Sequence, residues 1–282
     1  MSEVTARSVA EAVLKRVIPD EQARTAAARH RAEIEEWLTA DLGIVRMRET
    51  GSWHHGTAIT LGSDVDYFVT MRGSKPAASR DALEAVRASL ARGLPGCTVL
   101  IDRPAVRIRY RDGGPAVEIA PAYYRQTDDY DIPDPDGLGW IRSNPALHLE
   151  YVNEAQRKTE GRAKGLIRLM KTWRTLNDVP LSSFYLEMRT AQYAASNSPI
   201  LYDWDLRHLF KSLSDTGLPD MNDPTDYGRR VTTGARNEAE ALRARLAVDD
   251  AARLTRLARE AAADDDDATA SRHMLALFNL DK

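Results

Sequence analysis

Residues 64–71, Asp-Val-Asp-Tyr-Phe-Val-Thr-Met, alternate well enough to form a β-strand, with Val65 and Tyr67 on one face and Asp64 and Asp66 on the other. Two carboxylates that close on one strand face repel each other, and a divalent cation would relieve the repulsion. A fold that keeps this strand must therefore bury one side of it and leave a charged side open.

The patterns on either side divide the chain. Residues 5–41 read as helix, with Val13, Leu14, Val17, Ala23, Ala27, Ile34 and Leu38 at roughly helical spacing and Pro19 breaking the stretch near Ile18. Arg46 to Ser52 reads as a short strand and turn. Residues 76–92 form a helix with Leu83, Val86, Leu90 and Leu94 as its apolar stripe. Segments 97–102, 105–111 and 115–120 read as strands, the last two joined by the turn Asp112-Gly113-Gly114. The segment TDDYDIPDPDGLGW reads as a linker. Beyond it, Ser143-Asn144-Pro145 starts a helix, and further helices are expected over 161–177, 182–195, 203–213, 235–246, 249–263 and 268–279. Asp264 to Asp267 reads as a solvated turn. The expectation is an α+β fold, with a mixed α/β lobe over 1–130 and a helical lobe over 131–282.

Composition narrows the setting. No run approaches eighteen apolar residues, and the N-terminal thirty residues hold no apolar h-region. The single cysteine, Cys97, cannot form an internal disulfide and reads as a small buried hydrophobe. A cytoplasmic protein without a membrane partner is expected. A net charge of -3, with no basic tail or arginine-rich arm, weighs against unaided binding of long nucleic acid. Free nucleotides and short oligonucleotides fit, since one local basic patch would hold them.

The chemistry-bearing residues cluster ahead of and behind the acid strand. Gly51, Ser52, Gly56 and Thr57 form a turn whose glycines permit close backbone approach and whose hydroxyls suit a phosphate. The lysine of a standard P-loop is absent. Alone, an Asp-x-Asp is common on exposed strand ends and a Gly-Ser turn says little; the two in this order and spacing are specific. Glu118 stands inside the apolar run Ala116, Val117, Ile119, Ala120. A charge enters such a run when it is paired, exposed or metal-bound, and with the Asp pair it reads as a third metal ligand. His54-His55 has no further cysteine or histidine nearby to complete a zinc set, and reads as surface or triphosphate-facing.

The segment GSWHHGTAITLGSDVDYFV resembles the Gly-Ser…Gly-Thr…Asp-x-Asp signature of the DNA polymerase β-like nucleotidyltransferases. More narrowly, the chain resembles bacterial cGAS/DncV-like nucleotidyltransferases, relatives of oligoadenylate synthase. WIRSNPALHLEYV resembles the entry to their helical lobe, GLIRLMKTWRTLNDVPLSSFYLE their Lys-x-Trp helix and Ser-Phe-x-x-Glu segment, and MNDPTDYGRR their late Asp-Pro segment. The resemblance implies a polymerase β-like nucleotidyltransferase lobe with a mixed sheet and the long N-terminal helix, a helical C-terminal lobe, and an active site in the cleft between them. It implies that Asp64, Asp66 and a third acid bind two Mg²⁺ ions, with Mn²⁺ as an alternative, in antiviral cyclic-oligonucleotide signalling. The third acid of such proteins is usually aspartate; here it is Glu118.

At 100° per residue, Lys164, Arg168 and Lys171 share a narrow helical stripe opposite Leu166, Leu169, Met170 and Trp173. Such stripes are mostly plain solvated faces. The resemblance implies that Lys171 faces the donor triphosphate, with Lys164 a weaker candidate and Ser183 adding a hydroxyl, though Ser182 or Ser183 could instead cap the next helix. Trp173 and Tyr185 read as core. Asp223 sits by the base pocket or merely starts a turn. The expected activity joins nucleoside triphosphates into a cyclic di- or oligonucleotide with release of pyrophosphate, the product acting on a downstream effector protein. The alternatives are a terminal nucleotidyltransferase acting on RNA or protein, and a non-catalytic nucleotide-binding protein.

Overall fold

A computed structural model describes residues 4–225, 227 and 230–281. Helix α1 (Ala6–Val17) opens on a capping box between Thr5 and Ser8. Pro19 interrupts the helical pattern, as expected, and α2 (Glu21–Leu42) restarts on Asp20, whose carboxylate accepts from Ala23 N–H. Gly43 ends α2 in the left-handed region. There follow β1 (Arg46–Thr50), the one-turn helix α3 (Gly51–His54), β2 (Val65–Thr70), α4 (Ser79–Gly93), β3 (Thr98–Asp102), β4 (Ala105–Arg109), β5 (Val117–Gln126), β6 (Asp129–Pro133) and β7 (Trp140–Ser143).

These strands form one mixed sheet in the order β1-β2-β5-β4-β3, with β6 on the far part of β5 and β7 on β6. The β2–β5 pair is parallel and the other pairs are antiparallel. The two-residue period puts Met47, Val65, Tyr67, Val69, Val106, Ile108, Val117 and Ile119 on one face. There they form a single core with Ile34 and Leu38 of α2 and Leu83, Val86 and Leu90 of α4. Each such side chain contributes about 1.5–3 kcal/mol on burial, which pins the strand register. The opposite face carries the charged residues of the same strands.

The chain divides into two compact units, Pro19–Leu149 and a second made of the residues up to Ile18 with Glu150–Lys282. The α/β part thus runs past residue 130, because the segment read as a linker holds β6 and β7. Tyr130 and Ile132 are buried there, and the buried carboxylates of Asp129 and Asp131 pair with Arg142 and with Lys75 and Arg125. Helix α1 groups with the helical unit rather than with the sheet. Its stripe of Val9, Ala10, Val13 and Val17 is buried, and it packs on helices of that unit.

The helical unit continues with α5 (Pro145–Lys158), α6 (Ala163–Leu176), α7 (Ser183–Ser196) and α8 (Tyr202–Thr216). A short hairpin, β8 (Met221–Asn222) and β9 (Arg230–Val231), precedes α9 (Glu238–Ala263) and α10 (Asp267–Leu277). The two helices expected over 235–246 and 249–263 are one, since no glycine or proline interrupts them. The acidic run closes α9, and Asp266 caps α10 by accepting from Thr269 N–H. Among the described residues no helix is long and apolar enough to cross a membrane.

Candidate active site

The sheet register assembles the acids. Thr50 stands opposite Asp66 on β1–β2, Asp66 opposite Glu118 on the parallel β2–β5 pair, and Glu118 opposite Arg107 on β5–β4. Neighbouring strands lie about 4.8 Å apart, so Asp66, Glu118 and Arg107 form one cross-strand row on the face away from the core. Asp64, two residues before Asp66, joins that row. Its carboxylate accepts from Arg107 Nη2 at 2.7 and 2.9 Å, and it shares a hydrogen bond with Glu118. The three acids are therefore neighbours.

The electrostatics follow from crowding. Burial, then the charges of Asp66 and Asp64, push the Glu118 carboxyl up to about 9. Protonated, Glu118 can donate to Asp64. Burial works against the Arg107 charge, but Asp64, Glu118 and Asp102 outweigh it, and the guanidinium is held more firmly protonated than usual. Arg107 Nε lies 3.9 Å from Glu118 and Nη1 lies 3.4 Å from Asp102. Arg107 is a member of this row that sequence reasoning did not single out. Counting outward from the Asp112-Gly113-Gly114 turn would set position 108 opposite position 118; the register is one residue off that count, which brings Arg107 to Glu118.

The turn ahead of β2 is built against the acids. Gly51 has φ +60, and a Cβ there would stand 2.0 Å from Asp66 Oδ2, so backbone and carboxylate approach as only glycine allows. Thr57 is fully buried, and its N–H and hydroxyl donate to Ser52 C=O at 2.8 and 3.4 Å. Thr57 thus holds the turn. Ser52 is half-buried beside Gly51. His55, expected at the surface or toward a triphosphate, is buried at 2% exposure, while His54 is half-buried. Among the described residues, no three or more His, Cys, Asp or Glu side chains are arranged to hold an ion.

The remaining candidates lie in the helical unit. Lys164 and Arg168 are half-buried on α6; burial, with the Arg168 charge beside it, lowers the Lys164 pKa. Lys171 departs from the expected basic stripe. It is 2% exposed and paired with the equally buried Glu187 of α7. Angular position defines a helix face but not what covers it, and α7 covers this one. Ser182 caps α7 by accepting from Tyr185 N–H at 3.2 Å, and Ser183 is the first helical residue. Trp173 and Tyr185 are core, as expected. Asp223 accepts from Thr225 N–H and Oγ1 at 2.8 and 2.6 Å, a turn-forming arrangement. Asp226, Gly228 and Arg229 of the MNDPTDYGRR segment lie outside the described residues.

A family model of the Second Messenger Oligonucleotide or Dinucleotide Synthetase domain matches residues 6–155. The cyclic AMP-AMP-AMP synthase of Escherichia coli (strain MS 115-1) is 27% identical over 162 residues, covering 54% of this chain and 50% of that protein. The chain spans about half the length of the curated relatives it matches. Its fold is similar to that of E. coli MS115-1 CdnC, solved with ATP, at TM-score 0.77 and 21% identity over 99% of this chain and 98% of that one. It is also similar to the Bradyrhizobium diazoefficiens CD-NTase CdnG in complex with GTP, at TM-score 0.75 and 13% identity over 97% and 98%. Since the matched span takes in more than half of the 282 residues and includes Asp64, Asp66 and Glu118, the chain belongs to the second messenger oligonucleotide or dinucleotide synthetase family.

Proposed function

We propose that this protein joins nucleoside triphosphates into a cyclic di- or oligonucleotide with release of pyrophosphate, using Asp64, Asp66 and Glu118 as its metal-binding and catalytic acids. The observation that carries this reading is the register that puts Asp66 opposite Glu118 with Asp64 hydrogen-bonded to Glu118. Three adjacent carboxylates are an all-oxygen donor set suited to Mg²⁺, two ions in this reading, or to Mn²⁺. The raised Glu118 pKa supports the fit, because a cation is what would let all three acids ionise together. Bound there, such ions would acidify the acceptor hydroxyl and stabilise the departing pyrophosphate.

The chain's own groups do the rest. In this reading ionised Glu118 assists in taking the acceptor proton. The turn from Gly51 to Thr57 serves the donor phosphate in the same reading, with Ser52 adding a hydroxyl; the close approach of Gly51 to Asp66 supports it. The roles of Lys164, Lys171 and Ser183 toward the donor phosphates, and of Asp223 toward the base, rest on the family resemblance alone. The setting in this reading is cytoplasmic anti-phage signalling, with a separate effector protein responding to the product.

The test is incubation with the four NTPs and Mg²⁺ or Mn²⁺, followed by mass analysis of small products. The wild type should form a cyclic product, and Asp64→Asn with Asp66→Asn should form none while remaining folded. Wild-type product at the wild-type rate from the double variant would end this reading. Extension of an added RNA, without small cyclic products, would replace it with terminal transfer.

A further inference from the structure

Arg107 projects from β4 into the acid row, and its contacts are uneven. Nη2 is bonded to both oxygens of Asp64, at 2.9 and 2.7 Å. Nη1 reaches Asp102 at 3.4 Å, and Nε, buried and without a hydrogen-bond partner, stops 3.9 Å short of Glu118. A guanidinium built purely to support the fold would spend its planar fork on a matched, bidentate partner. This one leaves a buried donor unsatisfied, at a cost, while standing among three carboxylates where a cation is needed.

We propose that Arg107 is the resident counter-cation of the acid cluster: it clamps Asp64 in the metal-free protein and yields Asp64 to an entering divalent cation, and so sets the cation affinity of the site. This inference rests on the metal-binding reading of the three acids. Two further observations support it. An alternative partner is in reach, since the Asp102 carboxylate at the end of β3 is 60% exposed and already touches Nη1. There is also room to move, because Asp64, Arg107, Arg109 and Arg29 line an open groove of about 1130 Å³. Rotation of the guanidinium toward Asp102 and the groove frees both Asp64 oxygens without breaking any backbone pairing.

Arg107 is thus a positioning residue. It keeps Asp64 aimed at the site when no cation is present, and it competes with the cation for that carboxylate. Two readouts separate this role from plain structural support: Mn²⁺ affinity by calorimetric titration of the full chain, and melting temperature with and without saturating Mn²⁺. Arg107→Gln should bind Mn²⁺ about tenfold more tightly, the lower end of what one neighbouring charge does to an ionic equilibrium. It should melt lower than wild type without metal and match wild type when saturated. Arg107→Lys, which keeps the charge, should stay near the wild-type affinity. Wild-type or weaker affinity in Arg107→Gln, with the same melting loss in both conditions, would overturn the inference and leave the metal site standing. Equal Mn²⁺ binding by wild type and by Asp64→Asn with Asp66→Asn would overturn both.

Discussion

A Cβ on Gly51 would stand 2.0 Å from Asp66 Oδ2, 2.7 Å from its Cγ and 3.0 Å from its Cβ. The contact extends down to the Asp66 Cβ, so rotation of the carboxylate alone cannot relieve it. Gly51 also has φ +60, where an alanine costs about 1–2 kcal/mol. Gly51→Ala should therefore lose roughly that much stability in urea unfolding and also displace Asp66. A shift of about 1 Å at a reacting group can cost on the order of 100-fold in rate, so product formation should fall much further than stability. Adding Asp66→Ala should relieve the 2.0 and 2.7 Å contacts and leave the cost of φ together with the tight 3.0 Å contact between the two Cβ atoms. Wild-type turnover in Gly51→Ala would detach Asp66 from the chemistry.

The crowding of Glu118 carries a pH signature. Its carboxyl is raised from 4.5 to about 9, by burial first and by Asp66 and Asp64 next. Below about pH 4.5 Glu118 is protonated in both folded and unfolded chains, and its contribution is fully present. Between 4.5 and 9 the unfolded chain releases that proton and the folded chain keeps it, so stability falls as pH rises through this window. Metal-free melting temperature should decline from pH 5 toward pH 9, and Glu118→Gln should flatten that decline while abolishing product. Mn²⁺ should counter the decline, since cation binding draws the proton off. An unchanged pH slope in Glu118→Gln would place the titration elsewhere.

Local signals in the sequence carried far. The strand at Asp66, with Asp64 immediately before it, the helix break at Pro19 and the turn at Asp112-Gly113-Gly114 are each set by a few adjacent residues, and each is within a residue of where the pattern places it. The β6–β7 strands are hidden, because their alternating Tyr130 and Ile132 sit in a segment dense in Asp, Pro and Gly. Their pairing is decided by β5, not by their own composition. Arg107 shows the same limit at the site. The hairpin turn counts to position 108 opposite Glu118, one residue off the register that forms, and the bond of Arg107 to Asp64 depends on the parallel pairing of β2 with β5, a contact across some fifty residues of chain that no local pattern encodes.

Lys171 and Glu187 make the last of these cases measurable. Both side chains are 3% exposed and they are ion-paired within the helical unit. Removing one member breaks a buried ion pair, which typically costs about 3–5 kcal/mol. Lys171→Ala should therefore be strongly destabilised, and its low activity alone would say nothing about phosphate binding. Replacing both, Lys171→Met with Glu187→Leu, exchanges the pair for apolar side chains of similar volume, and stability should return to near wild type. If Lys171 also serves the donor phosphates, the folded double variant should still show a raised KM for NTP. The rise should be about tenfold or more, the loss of one charge-assisted hydrogen bond. Stability recovered together with a wild-type KM would assign the pair to the fold alone and leave the phosphate grip to Lys164, Ser52 and the turn at Gly51.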